Sequence, residues 1–433
     1  VKRSAPGALL CAALLAGCAG APAVVQAPPT DLATAQRDIA AIKAAPLKPG
    51  SGHDVRDAAA FRYENLHAPM FTPSARIARG GPVSTLPFAL RPEIGRTPVQ
   101  TRLGAMTVDR FVDAFPMDGV LMIQHGRVVY ERYPRMRADD LHQLYSVSKL
   151  VIALLVAELV DAGRVEPQLG IEHYVPALAD SDWAGVSVQN ILDMASGMQK
   201  TGLEEEAWEA EFWASAYGRL PPSPYALIAA MRRDPALPQG ADFEYATRNT
   251  FVLAWLLESV WRQPLAEIVS ARLWQRIGAD HDAYMGISPS GAPHTEFSMT
   301  LRDLGRLGML YTPSAANISV PALVSKATLR RMQRGGRPEL LRGIEHEQNA
   351  RGFDGEAVDH NGWQWDAVFA DGTLWKSGYA GQGLLVSPAH DLVIAFFSSW
   401  PAMDRQDYNR FQGVARQLIR AGVFGAPDAP SPT

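Results

Sequence analysis

An antiparallel sheet assembled from both ends of the chain, flanked by helices and carrying an inserted, mostly helical lobe, is the architecture this sequence predicts. Three observations carry it. β-rich runs stand near residue 120 and return beyond residue 370, while the middle, residues 165 to 320, reads as helices joined by long loops. Between the first strands and the middle lies "SVSKLVIALLVAELVDAGRV", an apolar run with so little polar surface that its helix must be central and buried. The class is α/β in the α+β sense, with a cleft expected where lobe meets sheet.

The elements follow in order. "TVDRFVDAF" reads as a short helix with Val108, Phe111, Val112 and Phe115 on one face. "GVLMIQHGRVVYERY" is two strand-like runs hinged at His125-Gly126, a hairpin signal. The buried helix places Val147, Leu150, Val151, Leu154, Leu155 and Val160 inward and ends near Gly163. Strand signals resume in "GTLWKSGY", "QGLLVSP" and "DLVIAFFSSW", and "DYNRFQGVARQLIRAGV" closes the domain as an amphipathic helix with Tyr408, Phe411, Val414 and Leu418 on one side. No internal repeat is evident.

The N-terminus is read separately. Residues 1–17 resemble a secretory signal: basic Lys2 and Arg3, a short apolar run, then small residues. "LAGC" ending at Cys18 resembles the lipobox of bacterial lipoproteins, which implies cleavage before Cys18, lipidation of its thiol and anchoring to the cell envelope; the alternative is a plain secretory signal. By the same analogy, Ala19 after the cysteine favours the outer membrane. Residues 18–50, rich in Ala and Pro, read as a tether, residues 51–105 as an irregular wrap, 106–425 as the folded domain and 426–433 as a disordered tail.

Composition excludes some functions. With 41 basic and 45 acidic residues, a formal charge of -4 and 20 % charged residues, nothing points to nucleic-acid binding. Cys11 and Cys18 are the only cysteines, so the mature chain is expected to have no disulfide and no cysteine-based metal site. "HEQNA" at 346–350 lacks the second histidine of a zinc helix, and no Gly-rich phosphate loop follows a strand; neither a metal nor another cofactor is expected. The absence of a G-x-S-x-G elbow removes the α/β-hydrolase reading.

Three clusters carry chemistry. Ser146 and Lys149 stand three apart on one helix face, so the lysine amine can reach the serine hydroxyl. A buried lysine loses part of its preference for the charged form and can take the serine proton. Free backbone N–H groups of the helix's first turn could then hold an oxyanion. Tyr245, in "FEYATRNTFVLAWLLE", sits at a loop-to-helix junction that can present its hydroxyl to a cleft; the alternative is a satisfied core tyrosine. Lys376, Ser377 and Gly378 in "LWKSGYAGQG" offer a charge, a hydroxyl and a glycine that admits a ligand near the strand, unless this is an ordinary hairpin with a surface lysine.

In that order, these clusters resemble the penicillin-recognising serine hydrolases, with their S-x-x-K and K-T-G elements. "LHQLYSVSKLV", "VQNILDMASGM", "YATRNTFVLAWLLE", "MTLRDLGRLGML" and "GYAGQGLLVSP" are together similar to the 6-aminohexanoate-dimer hydrolase branch of that β-lactamase-like superfamily, over roughly residues 55 to 422. The resemblance implies Ser146 as nucleophile, Lys149 as its proton partner, Tyr245 as donor to the leaving atom, and the N–H groups of Ser146 and Tyr379 as oxyanion hole. Two such donors are worth about 3 kcal/mol each to the barrier.

The match has departures. Thr247 stands where class C β-lactamases have asparagine, and Thr247 with Asn249 fits the dimer-hydrolase branch; Lys376 points back toward the β-lactamases. Asp193 in "LDMASGM" is a candidate ligand for a substrate amine or else a helix-terminus group, and His142 is as readily structural as catalytic. The leading expectation is a serine hydrolase of small esters or amides. A D,D-peptidase-like or weak β-lactamase activity is the alternative, and a non-catalytic lipid-anchored binding protein the third.

Overall fold

Helix α1 (Leu32–Ala44) begins at Asp31, whose carboxylate accepts the Thr34 amide at 3.0 Å, the bond that defines an N-cap. The computed structural model describes residues 24–46, 53–101, 103–198, 213–215, 223–318, 321–341, 352–400 and 410–427. Cys18 with the signal stretch, most of the Trp-rich stretch at 201–218, "HEQNA", Tyr408 and the tail from 428 lie outside these. Helices α2 (Ala58–Leu66), capped by Asp57, and α3 (Ala68–Phe71) precede β1 (Ser74–Ile77), α4 (Pro92–Arg96), β2 (Pro98–Thr101) and β3 (Gly104–Thr107).

The stretch expected to be an irregular wrap thus holds short helices and strands. Each spans nine residues or fewer, too short to register as periodicity between prolines and glycines. The stretch expected to be a tether differs too. Ile42 of α1 is fully buried in one apolar cluster with Ala60 and Phe61 of α2, and Val25 and Ala27 hydrogen-bond to Tyr133 and Met136.

Thr107 caps α5 (Val108–Ala114), which leads to β4 (Met117–Gln124) and β5 (Arg127–Arg132). These join at His125 and Gly126, with φ of 50° and 69°. Two successive left-handed residues make the turn whose twist suits a hairpin, and glycine takes its place without steric penalty. Next come β6 (His142–Gln143), α6 (Lys149–Asp161), α7 (Val188–Leu192), α8 (Pro224–Ala229), α9 (Thr247–Trp261) and α10 (Leu265–Val269).

Strands β7 (Ala283–Ile287) and β8 (Pro293–Met299) then form a hairpin inside the lobe expected to be mostly helical, and with β1 and β6 they make a second sheet ordered β1-β7-β8-β6. The "SPSG" turn inside "YMGISPSGAPHTEFSM" was its signal.

After α11 (Leu301–Met309) and α12 (Lys326–Arg334) the chain returns through β9 (His360–Gly362), β10 (Trp365–Val368), β11 (Leu374–Gly378), β12 (Gln382–Ser387) and β13 (Leu392–Ser398), ending in α13 (Arg410–Arg420). The seven-stranded antiparallel sheet is ordered β5-β4-β13-β12-β11-β10-β9, so both chain ends build it as expected. One face, with Leu121, Ile123, Leu384 and Val393, packs in a single core with α6 and α11; the other, with Val120, Met122, Leu385 and Phe396, packs on α5 and α13. Burial on both faces explains why "LVIAFF" within "DLVIAFFSSW" is apolar without alternation. Leu150, Val151, Ile152, Leu154 and Leu155 of α6 are fully buried, each contributing about 1.5–3 kcal/mol of transfer free energy.

Candidate active site

Strand β6 delivers the chain to Tyr145, whose backbone is left-handed at φ 48°. For a bulky residue that conformation costs about 1–3 kcal/mol, so the surroundings must enforce it. Ser146 follows in a 3₁₀ turn, Tyr145–Ser148, that runs into α6, rather than in the first α-helical turn expected. In a 3₁₀ turn residues three apart eclipse, which carries the Lys149 amine to the serine. Lys149 is 4 % exposed, and its Nζ donates to Ser146 Oγ at 3.1 Å.

Tyr245 arrives from the opposite side, two residues before α9, with Ala246 as the N-cap. Its hydroxyl accepts from Lys376 Nζ at 3.4 Å and lies close enough to Ser146 and Lys149 for both to act on its ionisation. The residue is 38 % exposed, while protein atoms crowd its hydroxyl. That crowding raises the phenol pKa, and the Lys149 cation is the main opposing influence. Both lysine amines lie against the same ring, Lys149 at 5.2 Å and Lys376 at 4.9 Å from its centroid.

Lys376 is not a surface lysine: it is fully buried in β11, with Nζ 3.4 Å from Tyr245 Oη and 2.5 Å from Asp366 Oδ1. Burial lowers its pKa and the Asp366 carboxylate opposes the shift. Ser377 donates its hydroxyl and amide to Asp366 Oδ2, at 2.6 and 2.8 Å. Asp366 was missed in the sequence. Once β10 and β11 are paired Ala367 to Trp375, the next pair is Asp366 opposite Lys376, so the hairpin register was the available signal.

Gly378 admits protein, not ligand, because a Cβ there would stand 2.6 Å from the Leu144 carbonyl oxygen. The strand and the nucleophile turn therefore touch backbone to backbone. Tyr379 opens the turn that follows β11, its ring 5.2 Å from that of Tyr145.

The remaining candidates sit apart. Asp193 ends α7, where its carboxylate takes Arg337 and Gln189 at 2.9 Å each and the Trp363 amide at 3.2 Å. Burial pushes its carboxyl above the ordinary aspartate range despite Gln189 and Arg337. Asn249 is fully buried on Met194, and Thr247 is the half-buried first residue of α9. His142 is fully buried, stacked on Phe397 at 4.6 Å and 3.2 Å from Asp118.

Fold and cluster together define the class, a serine hydrolase in which lysine and tyrosine flank the serine. Residues 106–417 match the Beta-lactamase family, and the chain belongs to it. Over 362 residues it is 28 % identical to the 6-aminohexanoate-dimer hydrolase of Paenarthrobacter ureafaciens, covering 81 % of this chain and 88 % of that protein. Esterase EstB of Burkholderia gladioli is 27 % identical over 192 residues, 39 % of this chain and 47 % of the esterase. A Bacillus anthracis structure assigned to the 6-aminohexanoate-dimer hydrolases superposes with a TM-score of 0.70 at 21 % identity, covering 84 % of this chain and 96 % of that one.

Proposed function

We propose that this enzyme hydrolyses small esters and linear amides through an acyl-serine. The observation that carries it is the Lys149-to-Ser146 hydrogen bond at 3.1 Å, with the Lys149 amine lying 5.2 Å from the Tyr245 ring centroid. Ser146 Oγ adds to the substrate carbonyl carbon while its proton passes to Lys149 in its unprotonated form. The amides of Ser146 and Tyr379 receive the developing oxyanion. The tyrosine hydroxyl, kept protonated by its raised pKa, gives its proton to the leaving oxygen or nitrogen as the carbonyl re-forms and takes one back from Lys149. Water then adds to the acyl carbon and gives up its proton to Lys149, which returns it to Ser146 Oγ as the carboxylic acid leaves.

Two features favour linear substrates over penicillins. Thr247 replaces the asparagine of class C β-lactamases, and Lys376 is buried and ion-paired to Asp366, so its charge is not offered to a substrate carboxylate. The names of the relatives support the same choice. Intact mass after a fluorophosphonate probe is the test, on wild type and Ser146→Ala, with benzylpenicillin in parallel. One adduct on wild type and none on the variant is expected. A long-lived penicillin adduct would move the assignment to a peptidase-like enzyme, and no fluorophosphonate adduct would remove Ser146 as nucleophile.

We further infer attachment to the bacterial envelope by a lipid on Cys18, a reading that rests on "LAGC".

A further inference from the structure

The N-terminal segment lies outside the stretch that matches the family, residues 106–417, yet one of its helices is bonded to the residue before the nucleophile. The buried Tyr145 side chain donates its hydroxyl to Asn65 Oδ1 at 2.7 Å, and Asn65 is a fully buried residue of α2. The Asn65 amide donates at 3.0 Å to Ser399 Oγ, just past β13, and Ser399 donates at 2.5 Å to Asp118 Oδ2 on β4. Arg62, one turn earlier on α2, donates to Asp118 Oδ1 at 2.7 Å, and His142 lies 3.2 Å from the other oxygen. Helix α2 is thereby fastened to two central strands of the sheet.

What this chain of bonds grips is a strained residue. Tyr145 is left-handed at φ 48°, directly precedes Ser146, and lays its ring 5.2 Å from that of Tyr379. It therefore sits between the nucleophile and the second amide assigned to the oxyanion. A rotation of Tyr145 toward ordinary backbone angles would move Ser146.

We propose that Asn65 of α2 is a positioning residue: its hydrogen bond to Tyr145 holds the left-handed turn that sets Ser146 against Lys149 and Tyr379. The N-terminal segment is then part of the catalytic apparatus. This inference rests on Ser146 being the nucleophile.

Three full-chain variants test it: Asn65→Leu, Tyr145→Phe and the two combined. Each is assayed for the fluorophosphonate labelling rate, kcat and KM on a p-nitrophenyl ester, and melting temperature. Either single change should slow labelling and lower kcat 10- to 100-fold with KM within threefold. The double variant should be no slower than the worse single, because the Asn65–Tyr145 bond that Tyr145→Phe removes is already lost in Asn65→Leu. Tyr145→Phe, which keeps the ring and its packing, secures the result if Asn65→Leu folds poorly. Wild-type labelling rates in folded variants, or losses that multiply in the double variant, would overturn the proposal. No labelling of wild type would instead sink the nucleophile assignment and this inference with it.

Discussion

Two lysine amines and a serine hydroxyl converge on the phenol of Tyr245, and their partners differ. Lys376 is held by Asp366, whereas Lys149 meets Ser146. Tyr245→Phe should lower kcat by about 10²- to 10⁴-fold, the usual worth of a positioned proton donor, with KM little changed in steady-state ester assays. Asp366→Asn leaves a buried cation beside Tyr245 and should cost about 3–5 kcal/mol of stability; Asp366→Leu combined with Lys376→Met should recover most of it in urea titrations. Asp118 supplies a pH signature. Burial alone would raise its carboxyl, but His142 and Arg62 outweigh that and hold it below the ordinary value of 3.8. A folded-state pKa below the unfolded one stabilises fully above pH 3.8, and the contribution is lost as pH falls through the folded value. Asp118→Asn should therefore flatten the acid limb of stability below pH 3.8, read by circular dichroism.

At the scale of elements, the decisive contact is β11 against the nucleophile turn. Gly378→Ala would force its Cβ within 2.6 Å of the Leu144 carbonyl, and backbone cannot yield as a side-chain tip does. The expected outcome is a loss of at least about 100-fold in kcat/KM, since a displacement of about 1 Å at a reacting group costs that much. Helix α6 serves as the rigid floor of the site. Leu154→Ala, in its fully buried face, should destabilise by about 2–5 kcal/mol in a denaturant titration while the labelling rate of the folded fraction stays near wild type.

At the scale of the whole molecule, the two sheets and the N-terminal helices meet around Ser146, and the chain is docked from Val25 onward. Cys18 stands seven residues before Val25. A lipid on Cys18 would thus hold the body on a leash of at most about 25 Å, given about 3.5 Å per extended residue. Cys18→Ser should move the protein from the membrane to the soluble fraction of a bacterial lysate, with hydrolytic activity retained. Equal partition of both forms would remove the anchor.

The sequence by itself determined what is local. Apolar periodicity marked α6 and α13, two-residue turn chemistry marked the β4–β5 hairpin, and the apolar C-terminal runs marked β11 to β13. Ser146 and Lys149 stood out for the same reason, since their spacing lies within one helical turn, whereas Tyr245 was singled out only by the resemblance of the motif order. The tertiary structure alone decided what depends on pairing across distance. It assigned Lys376 to Asp366, gave the space at Gly378 to the Leu144 carbonyl, and tied Asp193 to Arg337. It also placed helices α1 and α2 in the stretches read as tether and wrap, because both are too short to be stable alone and form by packing on the body. Neither composition nor period records a bond between Asn65 and Tyr145, 80 residues apart, since only the folded sheet and helices bring those side chains together.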